Sequence, residues 1–161
     1  MSVGGTRKLA VLNVVPPPKA LITGLADYEA GTWTPVLEGN TGGTFGTNVS
    51  GYYVVIGGVC HCFAYIDVTS TAGTSGNIQF TLPKRSLSTS ATFQPVQIAY
   101  AELTLSAGYG NVKGRLSAGS SNCLLLQGSA DATPQSFALV PVSAASGSTF
   151  LYIQGTYPID P

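Results

Sequence analysis

Charge is the scarcest commodity in this chain. Only 9% of its 161 residues are Asp, Glu, Lys or Arg, against about 25% in an ordinary globular protein. The seven basic residues, Arg7, Lys8, Lys19, Lys84, Arg85, Lys113 and Arg115, are scattered and balanced by seven acids. They form no basic stripe, which argues against nucleic acid as a partner. The single His and the lack of a Gly-x-Ser-x-Gly elbow leave no triad to assemble. Glycoside hydrolysis needs two facing carboxylates, and none of Asp27, Glu29, Glu38, Asp67, Glu102 or Asp131 forms a distinctive pair in the sequence. The Gly-rich stretch 39–46 lacks a Walker lysine, so phosphate cradling has no support. No apolar run approaches the roughly 20 residues of a membrane span. Leu9–Val15 is too short, and interrupted by Asn13, for a signal peptide. The expectation is a non-enzymatic protein without cofactor or bound metal, not inserted in a membrane and made in the cytosol.

Gly, Ser and Thr fill the place of the missing charge while apolar content stays at 44%. A weakly charged surface offers little protection against association, which points to life inside an assembly. At this length one domain is expected, able to bury roughly two thirds of its unfolded surface. The cytosolic setting predicts thiols at Cys60, Cys62 and Cys123.

Residues 1–26 read as an extended N-terminal docking arm. Leu9, Val11, Leu12, Val14 and Val15 form a strand-like apolar run, and Pro16-Pro17-Pro18 sets a stiff polyproline spacer before Leu21 and Ile22. A segment this apolar and extended needs a neighbour to lie on. Residues 27–161 read as the β-domain. Strands are predicted over Trp33–Glu38, Gly51–Ile56, Val59–Thr69, Asn77–Leu82, Pro95–Leu105, Asn111–Leu116, Cys123–Gln127, Ser136–Val140 and Thr149–Tyr157, with Gly57-Gly58 as a type I′ or II′ turn. No window shows helical periodicity with caps. The fold class is therefore all-β, an antiparallel β-sandwich or jelly-roll-like module.

The alternation in Val59–Thr69 places Cys60, Cys62, Ala64, Ile66 and Val68 on one face and Val59, His61, Phe63, Tyr65 and Asp67 on the other. His61 thus points away from the two cysteines, so Cys60-His61-Cys62 cannot surround one tetrahedral ion. The cysteines are read as core hydrophobes, and His61, Phe63 and Tyr65 as a candidate subunit contact. Tyr28, Trp33, Phe45, Tyr52 and Tyr53 could stack on sugars, with core and interface packing the favoured use.

The stretch Asp27-Tyr28-Glu29-Ala30-Gly31-Thr32-Trp33-Thr34-Pro35 is followed by Gly51-Tyr52-Tyr53, Ile56-Gly57-Gly58, Asn77–Pro83 and Ile153–Tyr157. Over about residues 27–157 this resembles a module of tailed-phage appendage proteins, found at the C-terminal ends of tail fibres and tailspikes. Asp27, Tyr28, Glu29, Gly31, Trp33 and Pro35 carry the opening motif, and Ala30 stands where a second Glu is usual. The resemblance implies a homotrimeric β-sandwich or jelly-roll on a virion surface, with no fixed ligand. Because only about 26 residues precede the module, the first expectation is a capsid decoration, cement or head-spike protein, its arm docked on the major capsid protein or a sister subunit. The alternative is a tail-fibre or tailspike tip, its arm in a tail adaptor, that attaches to a host surface glycan.

Overall fold

A computed structural model describes residues 28–89, 94–129 and 137–160. Within them run ten antiparallel strands: β1 (Tyr28–Trp33), β2 (Leu37–Gly39), β3 (Gly46–Ile56), β4 (Val59–Ser70), β5 (Ile78–Thr81), β6 (Gln94–Ala101), β7 (Tyr109–Leu116), β8 (Asn122–Ser129), β9 (Phe137–Leu139) and β10 (Phe150–Pro158). They join in one sheet, ordered β1-β3-β4-β10-β6-β7-β8-β5-β2, with β9 pairing β8 beside β5. The only helical element among the described residues is a single 3-10 turn at Val142–Ala144. The all-β, sandwich-like class read from strand periodicity is the observed one.

The sheet curls so that its two halves face each other across the core. Side chains from β4 and β10 (Ile66, Val68, Leu151, Ile153) share one buried cluster with those from β2, β5 and β8 (Leu37, Ile78, Phe80, Leu125). A second, smaller cluster gathers Val55, Cys60, Cys62, Leu116 and Tyr157. β4, β7 and β10 bury alternate residues, as period-two geometry requires; β4 buries Cys60, Cys62, Ala64, Ile66 and Val68 and turns His61, Phe63 and Tyr65 outward. The β3–β4 hairpin turns through Gly57 and Gly58 at φ 56° and 76°, the paired positive angles of a type I′ turn.

Several sequence-based boundaries shift, and three of the shifts have an identifiable physical reason. The predicted strand Trp33–Glu38 is two strands, because Pro35 lacks a ladder donor and the chain leaves the sheet at Thr34–Val36. β3 begins at Gly46, extending back into the Gly/Thr stretch, since pairing with β4 overrides the local turn preference. β6 stops at Ala101, where Glu102 takes a left-handed φ of 56°; its carbonyl accepts a hydrogen bond of 2.7 Å from the buried Thr149 hydroxyl.

The buried side chains of Gln127 and Ser86 are satisfied by the loops they hold. Gln127 Oε1 accepts from Ser106 N at 2.9 Å while its Nε2 donates to Ser106 Oγ and Leu139 O. Ser86 Oγ donates to Ser117 O at 2.8 Å and accepts from Ser120 N.

Phe80 has no exposed surface and lies where the two halves meet. Phe80→Ala is expected to lower unfolding stability by about 3–5 kcal/mol, measured as the shift in a urea midpoint at unchanged slope.

Candidate functional site

Two neighbouring features gather the residues with functional promise: the opening strand and the outer face of the sheet beside it. The opening strand β1 pairs with β3 in the register Glu29↔Val55, Gly31↔Tyr53 and Trp33↔Gly51. Glu29, Gly31 and Trp33 therefore share one face, and each glycine lies opposite an aromatic ring. A Cβ on Gly31 would come within 3.0 Å of the Tyr53 ring, and one on Gly51 within 2.5 Å of Trp33 Nε1. The rings cover the glycines, a pairing that fixes register and fills the space the missing side chains leave. Trp33 packs against both core clusters, and its Nε1 donates to Phe63 O at 3.4 Å.

Glu29 closes this arrangement electrostatically. It pairs with Lys84 Nζ at 2.7 Å and accepts a 2.6 Å bond from the Tyr53 hydroxyl. Lys84 also lies 5.4 Å from the Tyr53 ring centroid, within cation–π range. The Lys84 backbone is held from inside, its carbonyl accepting from the buried Tyr157 hydroxyl at 3.0 Å. Lys84 and then Tyr53 lower the Glu29 pKa; bonding to Glu29 raises those of Lys84 and Tyr53.

The outer face spans β3, β4, β10 and β6. Two cross-strand rows run through it: Tyr52, Phe63, Gln154 and Gln97, then Ser50, Tyr65, Tyr152 and Ala99. Tyr52 stacks on Phe63 at 5.2 Å between centroids; Tyr65 meets Tyr152 at 5.2 Å and Phe150 at 6.1 Å. Between the rows lies a groove of about 370 Å³. Next along β4, His61 Nδ1 is 3.1 Å from Thr156 Oγ1, and Asp67 Oδ2 accepts from Asn48 at 3.2 Å. Tyr65 has a raised pKa, from desolvation first and then Asp67.

The structure thus brings His61, Phe63 and Tyr65 onto one exposed face, as the alternation predicted, and adds Tyr52, Tyr152, Gln97 and Gln154. The alternation could have identified each residue's face; the pairing of β10 with β4, between segments about 90 residues apart, was not legible. Of the five aromatics considered for stacking, Tyr28 and Tyr52 are exposed. Phe45 is buried and Trp33 packs against the core. Pro35 is buried in the link after β1. Cys60, Cys62 and Cys123 are buried free thiols; burial pushes the Cys62 pKa up to about 12 and raises those of Cys60 and Cys123. Glu38 accepts from Gln79 and Asn122, and Asp160 from Ser88. Leu9, Val11, Leu12, Val14, Val15, Leu21, Ile22, Asp27 and Asp131 lie outside the described residues.

Gly51→Ala is expected to displace the Trp33 ring and cost about 1–3 kcal/mol. Trp33 is the single Trp, so a red-shifted emission spectrum reads the displacement directly. The Glu29–Lys84 pair gives a pH signature with a definite sign. Glu29 has a lowered folded pKa, so its contribution is whole above the unfolded carboxylate's value and is lost as pH falls through the folded one. Lys84 has a raised folded pKa, so its contribution is whole below the unfolded amine's value and is lost as pH rises through the folded one. Glu29→Gln should flatten the acid side of the stability profile, measured by thermal unfolding across pH.

No protein-family model matches the sequence, and no curated protein matches it. Among solved structures, the chain is similar to the Dettilon tailspike protein (gp208), at 22% sequence identity and a TM-score of 0.66. The likeness covers 83% of this chain and 24% of that one, so the chain spans about a quarter of the tailspike's length and shares its fold over that stretch.

Proposed function

We infer that the protein is a non-enzymatic structural component of a tailed-phage virion, a β-module displayed on the particle surface as part of an appendage. The observation that carries this reading is the fold held in common with a tailspike over 83% of the chain. The opening motif supports it from the sequence side, since Glu29, Gly31 and Trp33 are the residues that lock the edge strand of this fold. Homotrimeric assembly, and attachment through the apolar residues between Leu9 and Ile22, belong to the same proposal. Three linked copies would turn weak arm contacts into firm attachment through effective concentration.

Two settings divide the reading. A tail spike or fibre tip is favoured by the structural neighbour being a tailspike. Capsid decoration or a head spike is favoured by the low charge of the chain, which suits close packing on a protein shell. Quantitative mass spectrometry of purified particles separates them. A few to a few tens of copies per virion mark a spike or fibre, hundreds mark decoration, and absence from particles ends the reading. Deletion of residues 1–24 is expected to leave a soluble, folded β-module that no longer joins particles; retained attachment would remove the arm from the account.

A further inference from the structure

The groove on the outer face is walled by Tyr52, Phe63, Tyr65 and Tyr152, with Gln97 and Gln154 along one edge. Its strands β3, β4, β10 and β6 are all interior to the sheet, so no further strand can pair with their backbone and only side chains can hold an occupant. Tyr52 and Tyr152 are 57% and 56% exposed. Gln97 and Gln154 are neighbours in the register and both exposed. Neither side-chain amide has a hydrogen-bond partner among the described residues. The lining holds no Asp, Glu, Lys, Arg or His. Uncharged aromatic walls with amide donors at the rim suit a polyproline II segment. The rings pack against pyrrolidines, and the donors meet carbonyls that have no partner within such a segment.

This chain contains a matching sequence. Pro16-Pro17-Pro18 end an apolar run, and residues 9–18 carry no charge, in keeping with the uncharged groove. The chain also enters the fold on the same face. Tyr28, the first residue of β1, pairs with Ile56, Ile56 with Val59, and Val59 with Pro158. By strand alternation this row stands on the side that bears Tyr52, Phe63 and Gln154. It forms an apolar shoulder beside the groove, with Tyr28 44% and Ile56 39% exposed. The reach is sufficient. Tyr152, at the far end of the groove, lies six residues along the strands and three strand steps across from Tyr28. That is about 25 Å along the sheet, at about 3.4 Å per residue and about 4.8 Å per strand. Pro18 stands ten residues before Tyr28, a tether of up to about 33 Å.

We propose that Pro16-Pro17-Pro18 of the same copy seat in this groove, packed on Tyr52 and Tyr152 with their carbonyls toward the amides of Gln97 and Gln154. The intervening residues, Leu21 and Ile22 among them, then cross the apolar shoulder. Seating prolines costs little ordering, because their φ is fixed before they dock. The consequence concerns the rest of the arm. Leu9–Val15 leave the body at one place and in one direction, so the apolar run is presented outward for a neighbour. The seat belongs to the protein before any particle is met, and so goes beyond the virion reading without resting on it.

The test uses the full-length protein and follows trypsin cleavage after Lys19, next to the prolines. Cleavage is expected to be slow in the wild type. Tyr152→Ala should speed it about tenfold, and Gln154→Ala several-fold. Tyr152→Phe should leave it slow, because the ring is what packs, and Phe137→Ala, an exposed aromatic on β9, should change nothing. Hydroxyl-radical labelling reads the other side of the contact. Pro16→Ser, Pro17→Ser and Pro18→Ser combined should raise labelling of Tyr52 and Tyr152 several-fold and leave Phe137 as it was. Unchanged Trp33 emission verifies that each variant is folded. Cleavage that ignores Tyr152→Ala overturns the proposal. Labelling that ignores the proline substitutions also overturns it, and leaves the face to a second copy or to another ligand. Co-expressed wild-type and Tyr152→Ala chains, told apart by mass, identify whose arm is seated. Cleavage confined to the variant chains supports the proposal; equal cleavage of both places the arm on a neighbouring copy and overturns it. Particle composition is measured separately, so an unseated arm leaves the virion role standing.

Discussion

Residues Thr34–Val36 impose the constraint on which the architecture depends. They connect β1 to β2, and those strands stand at opposite ends of the sheet order. Four peptide steps from Trp33 to Leu37 span at most about 14 Å, so the two ends of a ten-stranded sheet must come that close. The sheet can satisfy this only by curling over its own core. The link is pinned where it crosses: Val36 N donates to Thr81 Oγ1 at 2.9 Å, and Thr81 N donates to Val36 O at 3.0 Å. The Glu29–Lys84 pair adds a second tie, between the first edge strand and the loop after β5. The buried cluster shared by β4, β10, β5 and β8 follows from this closure.

The same constraint explains the composition of the opening strand. An edge strand exposes unpaired backbone and needs something to hold its register. Here the alternation of glycine and aromatic across β1 and β3 supplies it, because a one-residue slip would set Trp33 and Tyr53 opposite residues that carry side chains instead of the glycines they cover. Charge is spent sparingly in this protein, and the Glu29–Lys84 pair is placed at that edge. The ion pair itself is largely exposed and on Coulombic grounds is worth little; its setting, beneath Tyr53 and above a carbonyl held by Tyr157, gives it a defined geometry.

Curling also divides the aromatic residues by role. Those turned inward, Trp33, Phe45, Phe80 and Tyr157, pack the core. Those turned outward on β3, β4 and β10 remain in contact with each other and with solvent. Exposed rings grouped in this way are uncommon on an isolated soluble domain, and the low surface charge around them fits a protein whose outer face meets other molecules.

The sequence by itself determined most of the strands and, where alternation is clear, their faces. Period-two alternation in Val59–Thr69 assigns Cys60 and Cys62 to the core and His61, Phe63 and Tyr65 to the outside, because successive side chains in any extended chain point to opposite sides. Gly57-Gly58 marks its hairpin turn because two consecutive positive φ angles favour glycine. Tertiary structure alone decided which strands are neighbours. β10 inserts between β4 and β6, which places Tyr152 beside Tyr65 and Gln154 beside Phe63 and Gln97. Strand pairing between distant segments leaves no periodic trace in either segment, since backbone hydrogen bonds are blind to side-chain identity. The groove exists only once that pairing is made.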